Sequence, residues 1–158
     1  MSSSTVLLLA FAIGIVAGLR AFTAPAVVAW AASRQWIHLH VTPLAFMGST
    51  VAVIIFTLLA VAELITDQLP KTPSRKAPPG FIARIVTGGV SGAAIGASSG
   101  SWAVGLVAGV IGAVAGTLGG YELRVRLVKA TGGKDLPIAL LEDAIAIGGG
   151  FLIVSRFS

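Results

Sequence analysis

The sequence predicts an all-α fold: a polytopic transmembrane helical bundle of about five spans, forming a single integral membrane domain over residues 1–158. Of the 158 residues, 56% are hydrophobic and only 11% are charged, whereas soluble domains carry about a quarter charged residues. The mean hydropathy is +0.96. Glycine also recurs at helical spacing within the apolar stretches. Several spans of about 20 residues each would use most of this chain and leave no room for a large soluble domain.

Glycines form a stripe along a predicted helical hairpin, which consists of Phe81–Gly100 and Trp102–Leu123. The first helix carries Gly88, Gly92, Gly96 and Gly100, and the second carries Gly105, Gly109, Gly112, Gly116 and Gly120. Four residues are slightly more than one helical turn, so each run follows one face of its helix. Interior glycines weaken a helix in water, but in a bilayer they let another backbone come close. The hairpin is therefore predicted to be a packing device.

The first apolar stretch, Thr5–Ser33, allows two interpretations. It is longer than one crossing needs, and Gly18, Arg20 and Pro25 interrupt it. One interpretation is a single tilted and kinked span. The other is a pair of half-helices broken near Gly18, as found around the binding sites of transporters. We expect the kinked span, because both halves of a broken pair would be short.

The rest of the chain supplies the other spans and sets their orientation. The second span runs from Pro43 to about Gln68 and the last from Pro137 to about Phe157. Most of the cations lie in the loops after spans two and four, which the positive-inside rule assigns to the cytoplasm. Five spans then place the amino terminus in the cytoplasm and the carboxyl terminus outside. If the first stretch crosses twice, there are six segments and the amino terminus also lies outside.

Four carboxylates within apolar surroundings are the candidate binding residues. They are Glu63, Asp67, Glu142 and Asp143. The first two share a helix face at the end of span two, and the other two lie about two turns into the last span. Ionisable residues inside a membrane are costly, so they are functional candidates by default. Because span two ends on the side where the last span begins, the four acids are expected at similar depth, where they would bind a cation or a proton.

Arg20 is the only cation of the first apolar stretch and is a candidate counter-charge or gate. With five spans it would lie past the midplane, some distance from the acids, which argues against a direct pair. A break at Gly18 would change that geometry. The structural alternative is that the acids pair with Arg20, Arg84 or Lys71 and only fasten the bundle, since buried charges are usually paired.

A basic, proline-rich loop follows span two and contains Lys71, Arg75 and Lys76. These three side chains are predicted to contact lipid headgroups and to fix the topology. A weaker alternative is that they hold a phosphorylated ligand. The net charge of +5 is explained by such basic loops meeting anionic lipid, so nucleic acid is not an expected partner.

Neither a metal site nor a cofactor nor a catalytic site is expected. His38 and His40 form an H-x-H pair without a third ligand nearby in sequence, so an interfacial role is favoured over metal binding. Cysteine is absent, which excludes disulfides and thiolate ligands. The sequence contains no Ser-His-Asp, Cys-His, H-E-x-x-H or phosphate-cradling glycine motif. The protein is therefore not expected to be an enzyme.

Three polar phrases occur in order within apolar surroundings: Gly18–Pro25, Glu63–Arg75 and Ala139–Ala146. Together with the glycine-rich hairpin they resemble domain-of-unknown-function family 4126, a bacterial family of small integral membrane proteins. The resemblance extends from about Leu8 to Ser155. It implies a polytopic membrane protein and brings no established activity. Because the phrases contain the charged candidates, it favours a shared polar site.

The expected protein is a homo-oligomer in a bacterial inner membrane, surrounded by membrane lipids. The first hypothesis for its function is a transporter or channel for a cation, a proton or a small solute, using the four carboxylates and Arg20. The alternative is a non-transporting scaffold or lipid-binding protein in which the acids form structural ion pairs. The two hypotheses differ in what a carboxylate substitution does. At a transport site it abolishes flux and leaves the folded protein intact, whereas at a structural site it disrupts assembly.

Overall fold

A computed structural model describes residues 1–69 and 74–158, and within them every regular element is a helix. The six α-helices are α1 (Ser3–Leu19), α2 (Thr23–Ser33), α3 (Thr50–Thr66), α4 (Pro78–Ala97), α5 (Trp102–Ala130) and α6 (Asp135–Val154). Short 3-10 turns precede α3 at Ala45–Gly48 and follow α6 at Ser155–Phe157. The all-helical prediction is confirmed for the described residues.

Three of the helices are long and apolar enough to cross a membrane. They are α4, α5 and α6 with its 3-10 extension, whereas α1, α2 and α3 are apolar but no longer than 17 residues. Large apolar side chains also lie exposed along the outer face of α3, among them Val51, Ile54 and Leu58. Faces of this kind suit lipid rather than water. The fold is therefore that of a membrane protein with transmembrane helices.

The first apolar stretch is a broken pair of helices, and the favoured single kinked span is wrong. Arg20 leaves the helical region, with φ −140° and ψ 111°. Pro25 lies in the first turn of α2, where its missing N–H costs no helical hydrogen bond. Val16 and Val27 both lie next to Gly150 of α6, although in one continuous helix they would be about 16 Å apart. The chain therefore reverses direction between α1 and α2.

α5 meets α4 and α1 backbone to backbone. Against α4, a Cβ added at Gly92 would lie 2.7 Å from the Cα of Gly109. Against α1, a Cβ added at Gly116 would lie 2.9 Å from the Cα of Ile15. Real Cβ atoms do not come that close to backbone. No side chain larger than hydrogen fits at these contacts without moving a helix.

The glycines of α5 meet two neighbouring helices at different heights along one face. Gly105 and Gly109 lie against α4, whereas Gly112 and Gly116 lie against α1. At 100° per residue the four glycines lie within about 60° of one another around α5, so the neighbour changes with position along the helix. Thr117 adds a polar contact to the α1 side, because its hydroxyl, which donates to the carbonyl of Ala113 at 2.7 Å, also lies 3.3 Å from the carbonyl of Gly18.

The helices alternate in direction, so that one end of the bundle collects most of the buried charge. α1 runs parallel to α5, and α4 runs antiparallel to it, as the pairing of their glycines shows. α3 packs against α2, where the indole N–H of Trp30 donates to the hydroxyl of Thr57 at 3.1 Å. The carboxyl ends of α1, α3 and α5 thereby meet the amino ends of α2, α4 and α6. We call this region the charged end.

Candidate functional site

Arg20 lies at the centre of the charged end, in the break between α1 and α2. Its side chain is 0% exposed. Its Nε donates to Oδ1 of Asp143 at 2.5 Å, and its Nη1 donates to Oδ2 of Asp67 at 2.5 Å. The expectation that Arg20 lies away from the acids is wrong, because the chain reversal brings the end of α1 to their level. One guanidinium thus joins α1 to both α3 and α6.

Glu63 holds the break from the other side. Its carboxylate accepts the backbone N–H of Ala21 at 2.7 Å and that of Phe22 at 2.9 Å. Amides at the start of a helix have no partner within the helix, so an acceptor must come from elsewhere. A negative charge is also favourable near the amino end of a helix. Glu63 therefore stabilises the non-helical segment and ties α3 to it.

Glu142 is bound by two arginines. Arg75 approaches it in bidentate fashion, with Nη1–Oε1 at 2.5 Å and Nη2–Oε2 at 2.9 Å. Nη1 of Arg124 lies 3.3 Å from Oε2. The adjacent acids Glu142 and Asp143 thus have different hydrogen-bond partners, as expected for side chains about 100° apart around a helix, while Nη2 of Arg20 also lies 3.8 Å from Oε2 of Glu142.

The three predicted headgroup contacts have different surroundings. Arg75 departs from the predicted headgroup contact, because its side chain is only 7% exposed and its guanidinium is bound to Glu142. Lys76 lies with Nζ 3.8 Å from the ring centroid of Tyr121, a cation–π contact. Lys71 falls outside the described residues. Headgroup binding stays a prediction for the two lysines.

Arg84 extends the site along α4. Its side chain is 6% exposed, and its Nη1 donates to the carbonyl of Gly80 at 3.1 Å. Its Nη2 lies 3.6 Å from Oε1 of Glu63 and 4.0 Å from Oδ2 of Asp67, which is too far for a hydrogen bond. Its Nε is buried and has no partner among residues 1–69 and 74–158. This guanidinium is surrounded by charge but makes few hydrogen bonds.

A cavity of about 910 Å³ adjoins this network. Its polar wall comprises Glu63, Asp67, Arg75, Arg84, Arg124, Lys129 and Asp135. The rest of the lining is mainly apolar and includes Phe22, Leu69 and Val125. A space of this size suits a small organic molecule, with the charged groups fixing its orientation. Three of the four candidate acids, Asp67, Glu142 and Asp143, lie within 3.8 Å of the Arg20 guanidinium, and Glu63 binds the adjacent backbone.

The arrangement suits a polar solute better than a bare metal ion. Arginines separate the carboxylates, and in the described part of the chain no three His, Cys, Asp or Glu side chains are grouped so as to hold a metal. His38 and His40 are exposed on the connector and lie outside the charged end. Buried charges of both signs in close contact can instead hold, release and exchange partners with a charged solute.

Comparison with known families decides the relationship of the chain. The model of a domain of unknown function, DUF4126, matches residues 7–155. The chain belongs to this family. The match covers nearly the whole chain and includes all three polar phrases, so the predicted resemblance is confirmed. No curated protein and no solved structure matches the chain, and membership of the DUF4126 family assigns no activity.

The DUF4126 chain also carries site residues that sequence reasoning did not single out. Arg124 binds Asp135 in bidentate fashion, with Nε–Oδ1 at 2.9 Å and Nη2–Oδ2 at 2.8 Å. Gln68 donates from Nε2 to Oδ2 of Asp143 at 3.2 Å. Arg84 is named from the sequence only as a possible ion-pair partner, although its isolation as the only charge in the apolar helix α4 also marks it as a site candidate. Arg124 gave no such signal, because it lies in a segment with several other charged residues.

Proposed function

We propose that this DUF4126 protein is a small transporter or channel of a bacterial inner membrane, and that its solute passes through the cavity at the charged end. The cavity beside the break between α1 and α2 carries the proposal. Discontinuous helices whose ends face a polar cavity are a recurring feature of transporter binding sites. Here the carboxylate of Glu63 occupies the amino end of the second half-helix, and Arg20 lies beside it.

The proposed topology has six segments, with the charged end facing the cytoplasm and both termini on the other side. The alternation of helix directions supports it, and so do the cations near the charged end, including Lys76, Arg126 and Lys134. The 11 residues of α2 cover only about 16 Å of a hydrocarbon core about 30 Å thick. α2 is therefore proposed to cross only part of the membrane, with the connector and its 3-10 turn completing the passage.

In this proposal the ion pairs act as the gate. Arg20 holds Asp67 and Asp143 together, so a solute that competes for any of the three would loosen α3 from α6. α3 is suited to such movement because it packs chiefly against α2 and the 3-10 turn. A bare cation would have to displace an arginine from a carboxylate, which favours a small solute with its own polar groups.

A second candidate function, the non-transporting scaffold, is favoured by one specific observation. Each of the four candidate acids already accepts hydrogen bonds from an arginine or from backbone N–H groups. Such pairs fasten a bundle without any solute. Membrane lipids, and further copies of the chain, are the proposed partners under either function. Neither function includes a catalytic step or a nucleic acid.

Flux through proteoliposomes tests the proposal. Uptake of protons and alkali cations is followed with pH- and cation-sensitive dyes under an imposed potential, and uptake of small organic solutes by light scattering. We expect wild-type protein to pass at least one solute of this panel, Glu63→Gln to lose most of that flux, and Arg126→Gln to retain it. Arg126 is a suitable control because its side chain is 75% exposed and pairs only with Glu122 among the described residues. Flux no greater than that of empty liposomes across the panel would favour the scaffold.

A further inference from the structure

Arg84 is a buried cation whose hydrogen-bonding capacity is largely unused. A guanidinium has five N–H donors in a fixed fork. In the described part of the chain, the side chain of Arg84 makes one hydrogen bond, from Nη1 to the carbonyl of Gly80 in its own helix. Its Nε is buried and has no partner within residues 1–69 and 74–158. A buried donor without an acceptor lowers the stability of the folded protein. An acceptor from outside the described chain would therefore stabilise this side chain.

The two acids nearest to Arg84 are committed to other donors. Glu63 accepts the N–H groups of Ala21 and Phe22, and Asp67 accepts from Arg20. They lie 3.6 and 4.0 Å from Nη2 of Arg84, so they compensate its charge without filling its donor sites. By contrast, Arg75 and Arg124 each have a carboxylate bound in bidentate fashion. Among the arginines that line the cavity, Arg84 is therefore the one prepared to receive an anion.

The walls of the cavity indicate what kind of anion fits. Lys129, an exposed residue of α5, lines the same cavity, so a second cation is present for an anionic group. Phe22, Pro79, Tyr121 and Val125 add apolar and aromatic surface. The volume of about 910 Å³ is far larger than an inorganic ion needs. A ligand that carries both an anionic group and an apolar body matches both parts of the lining.

We propose that the cavity binds an organic anion, a carboxylate or phosphate group attached to an apolar body, with Arg84 as its principal ligand. The guanidinium fork pairs with such groups through two parallel hydrogen bonds. The organic anion is then the solute class of the proposed transporter. The anion site rests on the proposed function in one respect only, namely that the bound anion is also the transported solute. Binding and flux are measured separately. If the anion binds but no flux is observed, the anion site is supported and only the transport function is contradicted.

A series of ligands with one tail and different head groups tests the site. Hexanoate, hexyl phosphate, hexylammonium and hexanol are titrated by calorimetry into the full-length protein in phosphatidylcholine nanodiscs, with empty nanodiscs as the blank. We expect saturable binding of the two anions and none of the amine or the alcohol. Equal binding of hexanol, or tighter binding of hexylammonium, would overturn the proposal.

Substitutions locate the binding. Arg84→Gln should weaken hexanoate binding at least about tenfold, the loss expected when a charged hydrogen-bond partner is removed. Arg126→Gln, the exposed control, should leave it unchanged. If Arg84→Gln does not fold, Lys129→Gln decides the question, because this exposed residue lines the same cavity and its loss should also weaken the anion. Unchanged affinity in the folded variants would contradict the assignment.

The anion has two possible sources, a lipid headgroup or a free solute. Nanodiscs that contain phosphatidic acid distinguish them. If this lipid competes with hexanoate in wild-type protein but not in Arg84→Gln, the occupant is the headgroup of a phospholipid. If hexanoate binds equally well with and without it, the occupant comes from the aqueous side. Both results uphold an anion site at Arg84. If phosphatidic acid also lowers the residual hexanoate binding of Arg84→Gln by the same factor as in wild-type protein, the lipid acts elsewhere, which contradicts a shared site.

Discussion

At the scale of single residues, the charged end depends on Arg20. The sequence predicted it and the four acids as candidates, because charges within apolar stretches are rare and costly. The pairs themselves were not predictable. Asp143 is 123 residues from Arg20, and the favoured single span placed the arginine at the wrong depth. Which oxygen meets which nitrogen is set by the tertiary fold, and no local pattern records it.

Removing one partner of Arg20 should destabilise the protein strongly. Asp143→Ala leaves a fully buried guanidinium hydrogen-bonded to Asp67 alone among the acids, with Glu142 3.8 Å away. Breaking a buried ion pair in this way costs about 3–5 kcal/mol, because the remaining charge stays desolvated. The free energy of unfolding in mixed detergent micelles measures the effect. The exposed pair supplies the control, and Arg126→Ala should cost less than about 1 kcal/mol. A loss that small for Asp143→Ala would contradict the described pairing.

Arg75 and Lys76 are neighbours with opposite expected roles. Arg75→Ala should lower stability, because Glu142 loses its bidentate partner, and should leave binding to anionic lipid unchanged. Lys76→Ala should leave stability nearly unchanged and weaken the association of the protein with anionic lipid by about 1 kcal/mol, the contribution of one basic residue near a membrane surface. Thermal unfolding and competition between anionic and neutral lipids separate the two effects. The reverse pattern would restore Arg75 as the headgroup contact.

At the scale of elements, the break between α1 and α2 shows what sequence can and cannot supply. Gly18, Arg20 and Pro25 marked the place, and both a kink and a break were recognised as alternatives. The group that decides between them lies elsewhere, because Glu63 provides the acceptors for the two amides of the break. Sequence near the break argues against it, because each half-helix is short. The local sequence does not show that another helix supplies an acceptor for the free amides.

The glycine contacts predict a sharp difference between two positions. Gly92→Leu should destabilise the bundle by more than the about 1–3 kcal/mol typical of overpacked cores, because the obstructing atoms belong to the backbone of α5. Gly119→Leu is the matched control, since a Cβ there meets nothing within 4 Å. It should be neutral or slightly stabilising, as leucine is the better helix former. Thermal unfolding in detergent measures both, and equal stability of the two variants would contradict the close contact of α4 and α5.

At the scale of the whole molecule, the membrane class followed from composition, whereas the number of segments depended on one reversal. Five spans would place the termini on opposite sides of the membrane, and the proposed six segments place them on the same side. Because the chain has no cysteine, single cysteines report position without background. Ser2→Cys and Ser158→Cys should react with an impermeant maleimide from one side of sealed vesicles, and Lys134→Cys from the other. Labelling of the two termini from opposite sides would contradict the topology.

The central claim is that a solute passes through the cavity at the charged end, and blocking that cavity tests it most directly. Ala83 lines the cavity, whereas Arg126 lies near the same end, does not line it and is 75% exposed. Each is replaced singly by cysteine, and proteoliposome flux of the transported solute is measured before and after treatment with a charged methanethiosulfonate. We predict that modification of Ala83→Cys abolishes flux and that modification of Arg126→Cys leaves it intact. Undiminished flux through fully modified Ala83→Cys would contradict the claim.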